Sequence, residues 1–118
     1  MNLFDTTQLG LERAVAASGM RQSTLAGNIA NANTPGYKRR DVDFHGALSA
    51  AMQDGSGAVK QVEFEAQTVQ GATMRADGNG VDIDVESATM ASNALEYEAL
   101  VAVARGRIDV LESAMGVR

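Results

Sequence analysis

The densest group of side chains able to do chemistry lies in residues 77–86, where four of the ten residues are carboxylates. An EF-hand loop that began at Asp77 would need an oxygen ligand fifth and glycine sixth, where this chain has Val81 and Asp82. A calcium-binding nonapeptide also fails, because such sites form between stacked copies. The stretch therefore predicts a turn followed by an acidic helix start, with Asp82 or Asp84 as N-cap.

The sequence contains one histidine and no cysteine. These counts exclude a disulfide framework, a thiolate zinc site and a cysteine nucleophile, and they make a histidine metal cage implausible. His45 stands near Asp43, but no serine nucleophile motif or second catalytic element accompanies it. We predict no catalytic residue, no cofactor and no metal, with His45 facing solvent or a partner.

Lys38, Arg39 and Arg40 form a short basic cluster in a chain whose formal net charge is −5. Residues 1–40 hold five Lys/Arg and two Asp/Glu, whereas residues 41–118 hold five and thirteen. This balance argues against a general nucleic-acid binder. We expect the cluster to pair with acidic groups on a neighbouring subunit or another copy.

Two long helices must position these groups, one at each end of the chain. In the first, nine positions from Phe4 to Ala32 follow alternating steps of four and three. Three of the nine are polar, and three interior glycines each cost about 1 kcal/mol, so this helix should be marginal alone. The series is Phe4, Gln8, Leu11, Val15, Ser18, Gln22, Leu25, Ile29 and Ala32.

The second series is more regular and predicts a helix that begins near residue 84. Nine of its ten positions are apolar or small. About 30 helical residues span ~45 Å, which is long for a chain of this size. The series is Ile83, Ser87, Met90, Ala94, Tyr97, Val101, Ala104, Ile108, Leu111 and Met115.

The segment between the helices shows little periodicity. Thr34-Pro35-Gly36 fits a type II turn, with proline second and glycine third, that ends the first helix. Residues 44–52 fit a short amphipathic helix, residues 53–58 are rich in Gly and Ser, and residues 62–69 partly alternate like a strand.

These patterns predict a mainly α fold, in which long N- and C-terminal helices form a coiled-coil-like bundle around a short irregular or partly β middle segment. We divide the chain into 1–33, 34–82 and 83–118. With 4% aromatic residues it would bury little apolar area alone, which indicates a subunit completed by assembly. We expect no membrane insertion, since no stretch approaches ~20 apolar residues. We also expect no Sec signal, since the N-terminus lacks a basic region followed by an apolar core.

Residues 25–38 resemble the signature of the bacterial flagellar rod and hook family, an Asn-rich end to the first helix followed by Thr-Pro-Gly-Tyr. Within that family, residues 40–44, 77–84 and 93–100 are similar to proximal rod proteins. The short amides can bond backbone groups left free where a helix ends. The signature residues are Asn28, Asn31, Asn33, Thr34, Pro35, Gly36 and Tyr37.

The resemblance implies a non-enzymatic structural subunit of the flagellar basal-body rod, serving motility. It implies export by the flagellar type III apparatus, then helical polymerisation outside the cytoplasmic membrane, in the periplasmic or cell-wall space. Expected partners are copies of itself, other rod subunits, the basal-body membrane ring and the rod-adaptor protein, with no nucleic acid. We expect an assembly seam that joins Leu11, Val15, Leu25 and Ile29 to Tyr97, Val101, Ile108 and Leu111.

Three alternatives stay open at this level: another rod subunit of the same family, a small nucleic-acid-binding helical protein that uses residues 38–40, and a helical hairpin that acts as an export chaperone. Salt-sensitive affinity for DNA or RNA would favour the second. A stable cytoplasmic pool would favour the third.

Overall fold

The computed structural model describes residues 3–69 and 80–116, and side chains from Thr6 onward. Helix α1 spans Leu3–Ala30, strand β1 Arg40–Asp41, helix α2 His45–Asp54, helix α3 Ser56–Gln61, strand β2 Gln67–Thr68 and helix α4 Ile83–Ala114. The described parts extend over 60 × 29 × 15 Å. The predicted fold class, with two long end helices and a short, partly β middle, is confirmed.

Helix α4 begins as the acidic stretch predicted. The Asp82 side chain accepts hydrogen bonds from the backbone N–H groups of Asp84 and Val85, at 3.0 and 3.3 Å. Asp84 and Glu86 add negative charge to the first turn, where the helix dipole favours it. The cap therefore fixes the start of α4 from local sequence alone.

The predicted turn closes behind α1. Tyr37 donates its backbone N–H to the Thr34 carbonyl at 3.1 Å, and Gly36 has a φ of 78°. That φ is the value a type II turn requires at its third residue, and glycine adopts it without steric cost. The chain thus reverses direction and returns along α1.

The middle segment forms a small core against α1. The predicted helix at residues 44–52 is confirmed as α2. Residues 53–58, whose Gly and Ser content predicts irregular structure, instead contain the start of α3, whose Val59 is fully buried. Burial of an apolar side chain offsets the weak helix propensity here. The buried core residues are Ala14, Ala17, Val42, Phe44, Leu48, Ala51 and Val59.

The two strands are short. Arg40 pairs with Thr68 and Asp41 with Gln67 in an antiparallel register, so only the end of the stretch 62–69 is a strand. Within the described ranges, no helix is long and apolar enough to cross a membrane. The Asp77-Gly78-Asn79 motif and the Phe4 side chain lie outside the described residues.

Candidate assembly interface

The two end helices pack on each other, and the predicted seam is only partly covered. On α1, Leu25 is fully buried, and Leu11, Val15 and Ile29 are half-buried. On α4, Val101 and Leu111 are half-buried, whereas Tyr97 and Ile108 remain 39% and 42% exposed. The single chain therefore leaves part of the α4 seam facing solvent.

The residues of α4 most deeply buried lie outside the predicted seam. They are Glu86 and Asn93, each 1% exposed, so the face of α4 that α1 covers is rotated away from the apolar series. Asn93 Nδ2 donates to the Ser18 carbonyl at 2.9 Å and to Gln22 Oε1 at 2.7 Å. Polar groups buried between paired helices fix their relative register at some cost in stability.

Asn28 is the centre of the signature. It is fully buried, and its Nδ2 donates to the Arg40 carbonyl at 2.7 Å and to Glu86 Oε1 at 3.1 Å. Its Oδ1 accepts from the Tyr37 hydroxyl at 2.9 Å and from the Arg40 N–H at 3.1 Å. One amide thereby joins the end of α1, the returning chain and the first turn of α4.

The other signature residues shape the turn itself. Asn31 Nδ2 donates to the Gly27 carbonyl at 2.9 Å, and Asn31 Oδ1 accepts from the Thr34 hydroxyl at 3.2 Å. Residues 33–36 are exposed. Asn31 therefore satisfies backbone at the helix end, as expected, whereas the asparagines do not adopt positive φ, which Gly36 supplies.

The expectation that residues 38–40 pair with a neighbouring subunit is wrong for Arg39. Its Nε lies 2.7 Å from Glu86 Oε2 and its Nη2 lies 3.1 Å from Asp41 Oδ2. Arg21 Nε binds the other oxygen of Asp41 at 2.7 Å. Because a buried carboxylate must be paired, Glu86 recruits the arginine within its own chain.

Sequence reasoning missed Glu86, Arg21 and Asp41. The sequence assigns Glu86 only to the helix dipole, and nothing local marks it as buried. The available signal is the absence of any Asp or Glu between residues 13 and 40, which leaves the arginines of that segment to find partners elsewhere in the chain.

Comparison with known proteins indicates a family for this chain. The family model described as "Flagella basal body rod protein" matches residues 11–38, which include most of α1 and the signature turn. The flagellar basal body rod protein FlgB of Escherichia coli (strain K12) is 35% identical, with 86% of this chain and 90% of that protein covered. The FlgB of Bacillus subtilis (strain 168) is 30% identical, with 98% and 97% covered. The FlgB of Cereibacter sphaeroides is 35% identical, with 92% and 93% covered.

The chain belongs to the flagellar basal body rod protein family. It is a structural rod protein of the flagellar basal body, where it assembles with other flagellar components, and the family is not one of enzymes. The sequence-based prediction of a structural rod subunit is confirmed.

The His45 side chain of this rod protein is 56% exposed and takes part in a surface contact. Its ring stacks on Phe44 with 4.1 Å between centroids, and its Nε2 lies 2.8 Å from Glu96 Oε2. Within residues 3–69 and 80–116, no group of three or more acidic, histidine or cysteine side chains could hold a metal ion.

The charged network also shifts the ionisation of Asp41. Burial acts to raise the pKa of its carboxyl, but hydrogen bonds from Arg21, the Val42 N–H and Arg39 favour the charged form and hold the pKa below its ordinary value. The Arg21 guanidinium, hydrogen-bonded to Asp41, has a raised pKa in turn. Folding therefore favours the ionised carboxylate.

Acid is expected to remove this stabilisation. A carboxyl whose pKa is lower in the folded state contributes stability above the unfolded pKa of about 3.9. That contribution is lost as the pH falls through the folded pKa. The free energy of unfolding, measured by urea denaturation, should therefore differ more between the rod protein and its Asp41→Asn variant at pH 7 than at pH 2.5. Asp43→Asn replaces an exposed neighbouring aspartate and is the control. If the free energy of unfolding changed equally with pH in wild type and Asp41→Asn, this role of Asp41 would be contradicted.

Gly80 is required where the turn meets the start of α4. A Cβ at this position would lie 2.9 Å from the Tyr37 carbonyl oxygen, a backbone atom that cannot move without shifting the signature turn. We expect Gly80→Ala to lower the free energy of unfolding by about 1–3 kcal/mol. Gly57→Ala is the control, since nothing lies within 4 Å of its added Cβ and alanine favours helix α3. Thermal or urea unfolding followed by circular dichroism measures the stability of both variants. A Gly80→Ala chain as stable as wild type would contradict the expected clash with the Tyr37 carbonyl oxygen.

Proposed function

We propose that this rod protein is a subunit of the proximal rod that polymerises through its terminal helices after export by the flagellar type III apparatus. Support comes from the two paired end helices and from the matches to FlgB proteins. The observation that carries the proposal is the incomplete burial of the α4 seam at Tyr97 and Ile108.

The proposed assembly region consists of the end segments 1–33 and 83–118, with residues 34–82 placed outside it. Within it, Leu11, Val15, Leu25 and Ile29 on α1, and Tyr97, Val101, Ile108 and Leu111 on α4, form the seam. Neighbouring subunits cover what the single chain leaves exposed, and that burial offsets the entropy lost on assembly. The signature network then sets the angle at which the middle segment leaves the helix pair.

The proposed partners are copies of this chain, other rod subunits, the basal-body membrane ring and rod-adaptor protein, and the export apparatus. Polymerisation takes place outside the cytoplasmic membrane, in the periplasmic or cell-wall space. The network of Arg39 with Glu86 and Asp41 supports this role over nucleic-acid binding, because it takes one cation of the basic cluster out of solvent.

The test is incorporation into basal bodies. A tagged full-length chain is produced in a flagellated bacterium that lacks its own copy, and basal bodies are purified and probed for the tag. We expect wild type to be recovered and to restore motility, and Ile108→Asp to be lost from the fraction, because a charge buried without a partner is costly. Ala50→Asp, at an exposed position of α2, is the control.

Circular dichroism of the purified variants keeps this result interpretable. Ile108 is 42% exposed, so Ile108→Asp should retain the helical content of wild type. Absence of the wild-type chain from basal bodies would contradict the proposed function. Recovery of a folded Ile108→Asp chain at wild-type levels would contradict the proposed role of the seam.

A further inference from the structure

Helix α4 carries a second apolar series, separate from the seam described above, that is exposed along its whole length. Its four large side chains are 60%, 68%, 52% and 66% exposed, and the smaller residues between them are exposed as well. The positions follow steps of three and four over about 38 Å of helix. We call this series the outer seam, and it consists of Val85, Ala88, Ser92, Leu95, Ala99, Val103, Gly106 and Val110.

Single exposed apolar residues are normal on a protein surface, but a continuous stripe with coiled-coil spacing is not. One or two small side chains separate successive large ones, so the stripe offers both protruding residues and spaces between them. A partner helix of comparable length would match this surface. Among the described elements, α1 with 28 residues and α4 with 32 are long enough.

Helix α1 presents a suitable surface on its exposed side. Four small residues and one methionine follow each other at steps of three or four, and all five are exposed. Small side chains let a second helix approach closely, so the large residues of the outer seam fit against them. We call this the α1 docking face, and it consists of Ala16, Met20, Ser23, Ala26 and Ala30.

Charge distinguishes α1 from α4 as the partner. Helix α4 holds six acidic and two basic residues, so two α4 helices side by side would bring like charges together. Residues 13–30 of α1, by contrast, hold two arginines and no Asp/Glu. Arg13 and Arg21 bind acceptors within their own chain, but nothing in that segment adds repulsion toward an acidic helix.

We propose that the outer seam of α4 binds the α1 docking face of a second copy of this chain. The inference rests on the proposed function and deepens it by naming the two surfaces that meet. Because the surfaces differ, a chain of contacts keeps a free outer seam at one end and a free α1 docking face at the other, so assembly continues as an open helix instead of closing as a dimer.

The experiment uses purified full-length chains in sedimentation velocity over rising concentration. Wild type forms oligomers larger than dimers. Leu95→Glu blocks the outer seam and Ala26→Glu blocks the α1 docking face, and each weakens self-association by about a hundredfold. Both positions are exposed, so circular dichroism shows wild-type helical content for each variant. Ala50→Glu, at an exposed position of α2, associates like wild type.

The decisive experiment mixes the Leu95→Glu and Ala26→Glu variants. The Leu95→Glu copy keeps its α1 docking face and the Ala26→Glu copy keeps its outer seam, so an equal mixture forms a dimer that does not grow. A monomeric wild type at all concentrations, dimers of Ala26→Glu alone, or a mixture that stays monomeric each overturns the inference. Basal-body incorporation of the wild-type chain reports separately on the proposed function.

Discussion

Replacement of Glu86 by alanine is expected to lower the free energy of unfolding by about 3–5 kcal/mol. Glu86 is 1% exposed and accepts from Asn28 Nδ2 and Arg39 Nε, at 3.1 and 2.7 Å. Its removal leaves one N–H of the buried Asn28 amide and the Nε–H of Arg39 without an acceptor, and these groups then bear an uncompensated desolvation cost. Urea denaturation followed by circular dichroism measures the change.

The control for Glu86→Ala is Glu98→Ala. Both residues are glutamates of α4, but Glu98 is exposed, so its removal should change the free energy of unfolding by no more than about 0.5 kcal/mol. Glu86→Gln separates the two contributions, because the amide oxygen can still accept from Asn28 while the ion pair with Arg39 is lost. Equal stabilities for Glu86→Ala and Glu98→Ala would show that the network does not stabilise the fold.

Leu25→Ala should cost about 2–5 kcal/mol, since removing a fully buried leucine loses burial and leaves a cavity. Leu25 is 0% exposed on the side of α1 that packs against the rest of the chain. Leu95→Ala is the same substitution at a position that is 68% exposed on α4. At concentrations where the chain is monomeric, Leu95→Ala should change the free energy of unfolding by no more than about 0.5 kcal/mol.

The two leucines therefore separate folding from assembly. Leu25→Ala should lower the midpoint of urea denaturation, whereas Leu95→Ala should leave that midpoint unchanged and weaken self-association in sedimentation. A Leu25→Ala chain with wild-type stability would mean that α1 does not depend on its buried face. A destabilised Leu95→Ala monomer would show that the outer seam is already covered within one chain.

Local sequence was sufficient for the elements. The helical period predicted α1, α2 and α4, and Asp82 marked the start of α4 because a cap depends on the residues directly around it. Pro35 and Gly36 predicted the turn for the same reason, since each restricts or frees its own backbone angles. The signature also indicated the family, because all of its residues lie within one continuous stretch of the chain.

The residues that join the elements were not predictable in this way. Glu86 lies 47 residues from Arg39 and 58 from Asn28, and Asn93 lies 75 residues from Ser18. The spacing of apolar residues could not predict the buried face of α4, because the most deeply buried residues of this helix are polar. Helix α3 escaped prediction because its stability depends on Val59 packing into the core, not on helix-forming residues.

By itself the sequence determined two long helices, the turn behind the first and the cap before the second, all of which follow from backbone preferences and the period of apolar residues. Only the tertiary structure decided which face of α4 meets α1, which carboxylates become buried and paired, and why Gly80 must lack a side chain. Those outcomes depend on distances between residues far apart in the chain, and no local preference encodes them.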